Sequence, residues 1–216
     1  MEFIGAGANR ECFVHPNDPA KVIKITKSTS VIEQDAVESA YYKLLEKRRV
    51  PFDHVVRFYG EETVLDSDGK ERRGFVFERA LNSDGTPAIM LGKAIEENLL
   101  PFETIYRMLE DLHRKYLLKY GIILSDYIYE NLFIKRDSDG AYRLLIIDGL
   151  GTIRSSWKFY LRLRFVILAW EVQIRRWQTV RRDLQRRYYR QGRFAFLSRF
   201  NWWWQRQFCL APRSSS

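Results

Sequence analysis

A chain of 216 residues, 46% hydrophobic and 15% aromatic, carries enough apolar side chain for a real core and is most simply one domain with an appendage. Its net charge of +9 is unevenly held: residues 156–216 contain fourteen Lys or Arg against two acids, which leaves the preceding part at −3. Cys12 and Cys209 lie far apart with no C-x-x-C or His spacing, which argues against a disulfide framework or a zinc site.

The first residues, Met1 to Gly5, lack a basic region followed by an apolar core, so no secretory signal is expected. Phe3 and Ile4 lead into Gly5-Ala6-Gly7-Ala8-Asn9-Arg10, a G-x-G-x-x-R turn ahead of a strand expected at 11–15. Gly5 and Gly7 permit close backbone approach to phosphate oxygens and Arg10 adds a cation, although such a turn also serves as a plain hairpin. Lys21 to Ile25 alternates, with Lys24 sharing a face with Val22 while Ile23 and Ile25 share the other. A half-buried lysine wants an anionic partner.

Ser30-x-x-Glu33 is a capping box opening a helix whose stripe runs through Ile32, Ala36, Ala40 and Leu44 with Val37, Tyr41 and Leu45. Glu38 lies beside that stripe and is chosen as the partner of Lys24, because Glu33 is needed by the cap. Residues 61–65 and 74–78, separated by Asp66-Ser67-Asp68-Gly69, form an expected hairpin, and Asn82 to Pro87 is loop. Pro101 can open a helix buried through Ile105, Met108, Leu109, Leu112 and Tyr116 and ended by Gly121. His113 lies on it; like His15 and His54, it reads as a packing or surface residue.

Asp126 and Asn131 then stand five positions apart in Ser-Asp-Tyr-Ile-Tyr-Glu-Asn, the spacing of the kinase catalytic loop H-R-D-x-x-x-x-N. Apolar runs follow at Leu132 to Ile134 and Leu144 to Ile147, joined by a turn at 136–140 that suits a hairpin; the second run delivers Asp148 ahead of Gly149-Leu150-Gly151. Singly, Asp126 suits a turn, Asn131 a cap and Asp148 a strand end. Jointly, a carboxylate and an amide oxygen at adjacent strand ends can share magnesium, which takes oxygen ligands and keeps some water.

Lys24, the Glu38-Ser39-Ala40-Tyr41-Tyr42 helix, Arg57-Phe58-Tyr59-Gly60, Asn131-Leu132-Phe133-Ile134 and Asp148-Gly149-Leu150-Gly151 together resemble the bacterial PhoP regulatory network protein family YrbL, whose members resemble protein kinases in fold. The resemblance runs from about residue 5 to about 153. It implies an α+β, protein-kinase-like bilobal fold with a reduced carboxyl-terminal lobe and a basic helical tail: a kinase-like domain at 1–155, divided near residue 80, and a tail at 156–216. It further implies Lys24 on nucleotide phosphates, Glu38 on Lys24, Asn131 and Asp148 on Mg2+, Asp126 as the acceptor-positioning base, and backbone from Glu78 to Ala80 facing the adenine of ATP. Departures point the other way. Leu124-Ser125 replaces His-Arg, Ile128 replaces the usual loop lysine, and no long activation segment or Ala-Pro-Glu follows Asp148. A phosphotransferase and a regulatory module that binds nucleotide without transfer both stay open.

In the tail, Leu163, Val166, Ile167, Trp170, Ile174, Trp177, Leu184 and Tyr188 recur at helical spacing opposite a row of arginines, and all six tryptophans of the chain lie here. The apolar stripe is expected to pack on the kinase-like domain. The one-signed face with Trp202-Trp203-Trp204 suits an anionic membrane surface or glycolipid, ahead of nucleic acid, for which no motif is present. The expected place is cytoplasmic, peripheral at the inner face of the membrane.

Overall fold

The computed structural model describes residues 1–7, 10–27, 32–65, 69–151 and 166–190. The Ser30 cap, the turn at 66–68, the boundary near Ser155 and the Trp202 to Trp204 cluster lie outside the described residues. The chain divides into two compact units, Met1–Trp177 and Gln178–Ser216.

The first unit opens with three antiparallel strands, β1 (Phe3–Ala6), β2 (Arg10–His15) and β3 (Asp18–Thr26), followed by helix α1 (Ile32–Lys47) and the hairpin of β4 (Phe58–Leu65) and β5 (Glu71–Glu78). The sheet order is β1-β2-β3-β5-β4. The alternation of β3 has the expected consequence: Ile23 and Ile25 pack with Val76 in a core that Phe13 and Val64 cover. Gly74 pairs with Ile25 on one side and Glu62 on the other, and a Cβ there would overlap the Ile23 side chain. Helix α1 buries Tyr41, Tyr42 and Leu45. The Tyr42 ring meets Phe58 and Phe77 at 5.6 Å each and Phe52 at 6.4 Å, which fastens α1 to the sheet.

Beyond β5 a short β6 (Ile89–Met90) pairs with β7 (Leu132–Arg136), which pairs with β8 (Tyr142–Ile146) in a second antiparallel sheet. Between them run α2 (Leu91–Glu96) and α3 (Phe102–Asp111), the latter continuing as a π-helical segment over Leu112–Leu118. Pro101 is the N-cap of α3, just before its first turn, and Gly121 ends the run with φ +58, a conformation that suits glycine. Ile105, Leu109, Leu112 and Tyr116 are buried as the spacing predicts. The widened turn is the departure: no residue pattern announces a π-helix, which is rare in general. His113 in this segment is buried and stacks on Trp177 at 5.0 Å with an interplanar angle of 11°.

Trp177 belongs to α4 (Val166–Arg190), whose earlier Trp170 donates its indole N–H to Leu118 O at 2.8 Å. In the second unit, Val180, Leu184 and Tyr188 are buried, and Arg187 Nε donates to Asp183 Oδ2 at 2.9 Å. The α+β class expected from the sequence is the one found. Among the described residues no helix is long and apolar enough to cross a membrane.

Candidate active site

The loop carrying Asp126 and Asn131 is built from backbone bonds. Leu124 bridges Leu150, Ser125 N–H and Oγ both donate to Gly149 O at 2.7 and 3.0 Å, and Gly151 N–H donates to Ile123 O at 2.8 Å. At its far end a 3-10 turn over Tyr129–Asn131 feeds β7, and Ile147 N–H donates to Asn131 O at 3.0 Å. These bonds lay the loop along the stretch that contains Asp148. Tyr41 OH accepts Ile123 N–H at 2.7 Å, so α1 also grips the start of the loop.

Asn131 Nδ2 donates to Asp126 O at 3.1 Å and to Asp126 Oδ2 at 3.2 Å. With its amide nitrogen so engaged, Oδ1 is the atom offered to a cation. Gly149 has φ +83, and a Cβ there would stand 2.9 Å from Asp126 O and 3.0 Å from Asn131 Nδ2. Only glycine gives both that backbone conformation and that close approach. Asp126, Asn131 and the residue after Asp148 are therefore in mutual contact.

Lys24 reaches this place from β3. Its side chain is 9% exposed, and Nζ donates to Ile147 O at 2.8 Å and to Asp148 Oδ2 at 3.2 Å while lying 4.6 Å from the centre of the Phe77 ring. Three kinds of partner thus hold one ammonium: carbonyl, carboxylate and aromatic face. Asp148 is the more open member, 38% exposed, and its Oδ1 accepts Gly149 N–H at 2.7 Å. Burial opposes its ionisation, yet the Lys24 ammonium, the Arg10 guanidinium and the Gly149 N–H together hold its carboxyl below the usual carboxylate range.

Among the described residues no three His, Cys, Asp or Glu gather as a metal cluster. The donor set nevertheless fits magnesium, which needs one or two protein oxygens and completes its shell with water and substrate phosphate. Asp148 and Asn131 Oδ1 would be those oxygens.

The family model for the PhoP regulatory network protein YrbL matches residues 1–185. This chain belongs to the YrbL family. Two curated members, each called "Uncharacterized protein YrbL", come from Escherichia coli strain K12 and Shigella flexneri; both are 24% identical over 155 residues, covering 68% of this chain and 70% of theirs. Among solved structures, a mutant form of the Mycobacterium tuberculosis PknI kinase domain aligns with a TM-score of 0.47 and 17% identity over 72% of this chain. The chain spans 60% of that kinase domain.

In this YrbL-family chain the residues expected at the site divide into those that meet and those that do not. Lys24, Asp126, Asn131 and Asp148 are gathered. Glu38 requires a correction: its Oε2 accepts from Arg10 Nη1 at 2.6 Å, while Lys24 takes Asp148. The guanidinium offers a donor fork that suits a carboxylate, and the Lys24 ammonium is already satisfied by two oxygens of the 147–148 turn. Gly5 pairs with Cys12 in the β1–β2 ladder, and Gly7 N–H donates to Arg10 O at 2.8 Å, closing the turn. A Cβ at Gly5 would meet nothing within 4 Å. At the end of β5, Glu78 N–H donates to Arg57 O at 2.9 Å, and in the connection after it Ala80 O accepts Ala88 N–H at 2.9 Å, so these two groups serve the fold. Ile128 is exposed beside the loop.

Residues that sequence reasoning missed are Ile147, whose carbonyl holds Lys24, Phe77, whose ring lies under it, and Tyr41. Cys12, which the sequence marks only by the lack of a pairing partner nearby, lies opposite Lys24 in the β2–β3 register. Burial pushes its thiol above the usual value against the pull of Lys24. The β3 register could have pointed to Cys12. The Ile147 and Tyr41 contacts carry no local signal.

Proposed function

We propose that this chain binds ATP with magnesium and transfers the terminal phosphoryl group to an acidic or membrane-associated acceptor. The observation that carries this reading is the backbone-stapled junction of Asp126, Asn131 and the Asp148-Gly149 turn, with Lys24 delivered to the same carboxylate from the opposite sheet. Phosphoryl transfer asks little covalent chemistry of a protein and much positioning of charge, which such a junction supplies. When bound, magnesium neutralises charge developing on the phosphate oxygens. Asp148 and Asn131 would hold that ion, Lys24 would orient phosphate oxygens, and Asp126 would accept the proton of the attacking hydroxyl. Asn131 Nδ2 fixes the Asp126 carboxylate for that task. The fourteen basic residues after residue 155 support the acidic character of the acceptor.

The test is a turnover assay with labelled ATP and magnesium, run with anionic lipid vesicles and without, on the wild type and Asp126→Asn. Release or transfer of labelled phosphate by the wild type, reduced about a thousandfold in the variant, is expected for a lost general base. Equal rates in both forms contradict the role of Asp126.

A second reading is nucleotide binding without transfer. It is favoured by the engagement of Glu38 with Arg10 in place of the Lys-Glu pair that kinases need in their active arrangement. Tight magnesium-dependent binding with no turnover in either form would select it.

A further inference from the structure

A buried ion pair is a weak source of stability, because desolvating two charges offsets most of their attraction. The Arg10–Glu38 pair is of this kind, with side-chain exposures of 10% and 9%. It is also incompletely satisfied, since Glu38 Oε1 is buried and has no hydrogen-bond partner. Burial pushes the Glu38 carboxyl up, opposed by Lys24 and then, after the adverse charge of Asp148, by Arg10. So two cations and two carboxylates share one small region, crossed as Arg10 with Glu38 and Lys24 with Asp148. Arg10 is also the first residue of β2 and its carbonyl accepts the Gly7 N–H, close in sequence to Gly5, where a Cβ would meet nothing within 4 Å.

We propose that Arg10 reads the terminal phosphates of a bound nucleotide and that Glu38 stores it until they arrive. As the triphosphate enters beside the β1–β2 turn, Arg10 leaves the carboxylate for phosphate oxygens, which its planar fork also matches. Glu38, with one oxygen already unsatisfied, then receives the Lys24 ammonium. Asp148 is thereby released to metal. This exchange rests on the nucleotide reading above and adds to it a residue that discriminates by phosphate number.

The experiment is a calorimetric affinity ladder of adenosine, ADP and ATP, each with magnesium, against the full chain as wild type, Arg10→Gln, Glu38→Gln and the double variant. Arg10→Gln is expected to weaken ATP by about tenfold, a loss of one hydrogen-bonded charge, while leaving adenosine within about twofold. Glu38→Gln is expected to tighten ATP by about threefold or more relative to adenosine, because Arg10 no longer has to leave the Glu38 carboxylate to meet phosphate. Should Glu38→Gln fail to fold, the double variant, which removes both charges of the pair, carries the test and should match Arg10→Gln. Shifts of equal size for adenosine, ADP and ATP in Arg10→Gln or the double variant would make the pair a static brace and overturn the exchange alone. A wild type that binds none of the three overturns the exchange together with the nucleotide reading.

Discussion

The loop that carries Asp126 and Asn131 is held to the Asp148 turn by backbone hydrogen bonds, whereas in the roof of β2, β3 and α1 charged side chains make the joins, Lys24 of β3 to Asp148 and Arg10 of β2 to Glu38 of α1. The first region has one arrangement. Leu124, Ser125, Gly149 and Gly151 fix each other through main-chain atoms, and the single glycine contact at Gly149 leaves no room for an alternative. In the second region Lys24 and Arg10 each act on both Glu38 and Asp148 through charge, while pairing directly with one carboxylate each. On the proposed reading that division keeps Asp126 and Asn131 preorganised while Lys24 and Arg10 can exchange carboxylates.

The largest way to break the comparison is chemical. Asp126→Asn should leave magnesium-ATP affinity unchanged within about twofold and remove about a thousandfold of turnover, because only proton acceptance is lost. A matching loss of affinity would show that the loop geometry, not the base, had been disturbed. Next is Gly149→Ala, which places a Cβ against Asp126 O and forces φ +83 on an L-residue. A cost of about 3 kcal/mol is expected by urea denaturation, from backbone strain and overpacking together. An alanine variant as stable as the wild type would mean the stapled region can rearrange after all.

On the roof side, Lys24→Met should weaken ATP by about tenfold, the value of one charged hydrogen bond, with adenosine little affected. Equal losses for both ligands would put Lys24 in the fold and not on phosphate. The smallest effect concerns His113, outside both regions and therefore a control for them. Burial, then the Arg114 charge, lowers its pKa to about 4. The unfolded state, with its histidine near pH 6.5, therefore binds the proton first, so stability should fall as pH drops from about 6.5 toward 4. His113→Phe should flatten that slope in thermal melts while leaving nucleotide affinity alone; an unchanged slope would assign the acid sensitivity elsewhere.

Much of the stapled region was legible in the sequence because its determinants are local. A five-residue Asp-to-Asn spacing, two apolar runs and a glycine after Asp148 each act within a few positions of themselves. Lys24 was equally readable from the alternation of β3. The charge partners of the roof were not. Arg10 and Glu38 lie 28 positions apart, and Lys24 and Asp148 lie 124 apart, so proximity in space, which no local pattern carries, set these pairs against the expected Lys24–Glu38 one. Glu38, which the stripe of α1 places at its margin, is buried and pairs with Arg10, not with the expected Lys24. Likewise the helix after Pro101 was visible in its stripe, but its π-helical turn follows from how Leu112 to Leu118 packs and has no period of its own.

The central claim, that Lys24, Asn131 and Asp148 converge on one magnesium triphosphate, is tested most directly by calorimetric titration of ATP into the wild type and Asp148→Asn, each with magnesium and with chelator. The account predicts saturable binding to the wild type that magnesium tightens by about tenfold or more, and loss of that magnesium dependence in the variant. Binding that is indifferent both to magnesium and to the substitution, or no binding at all, would contradict it.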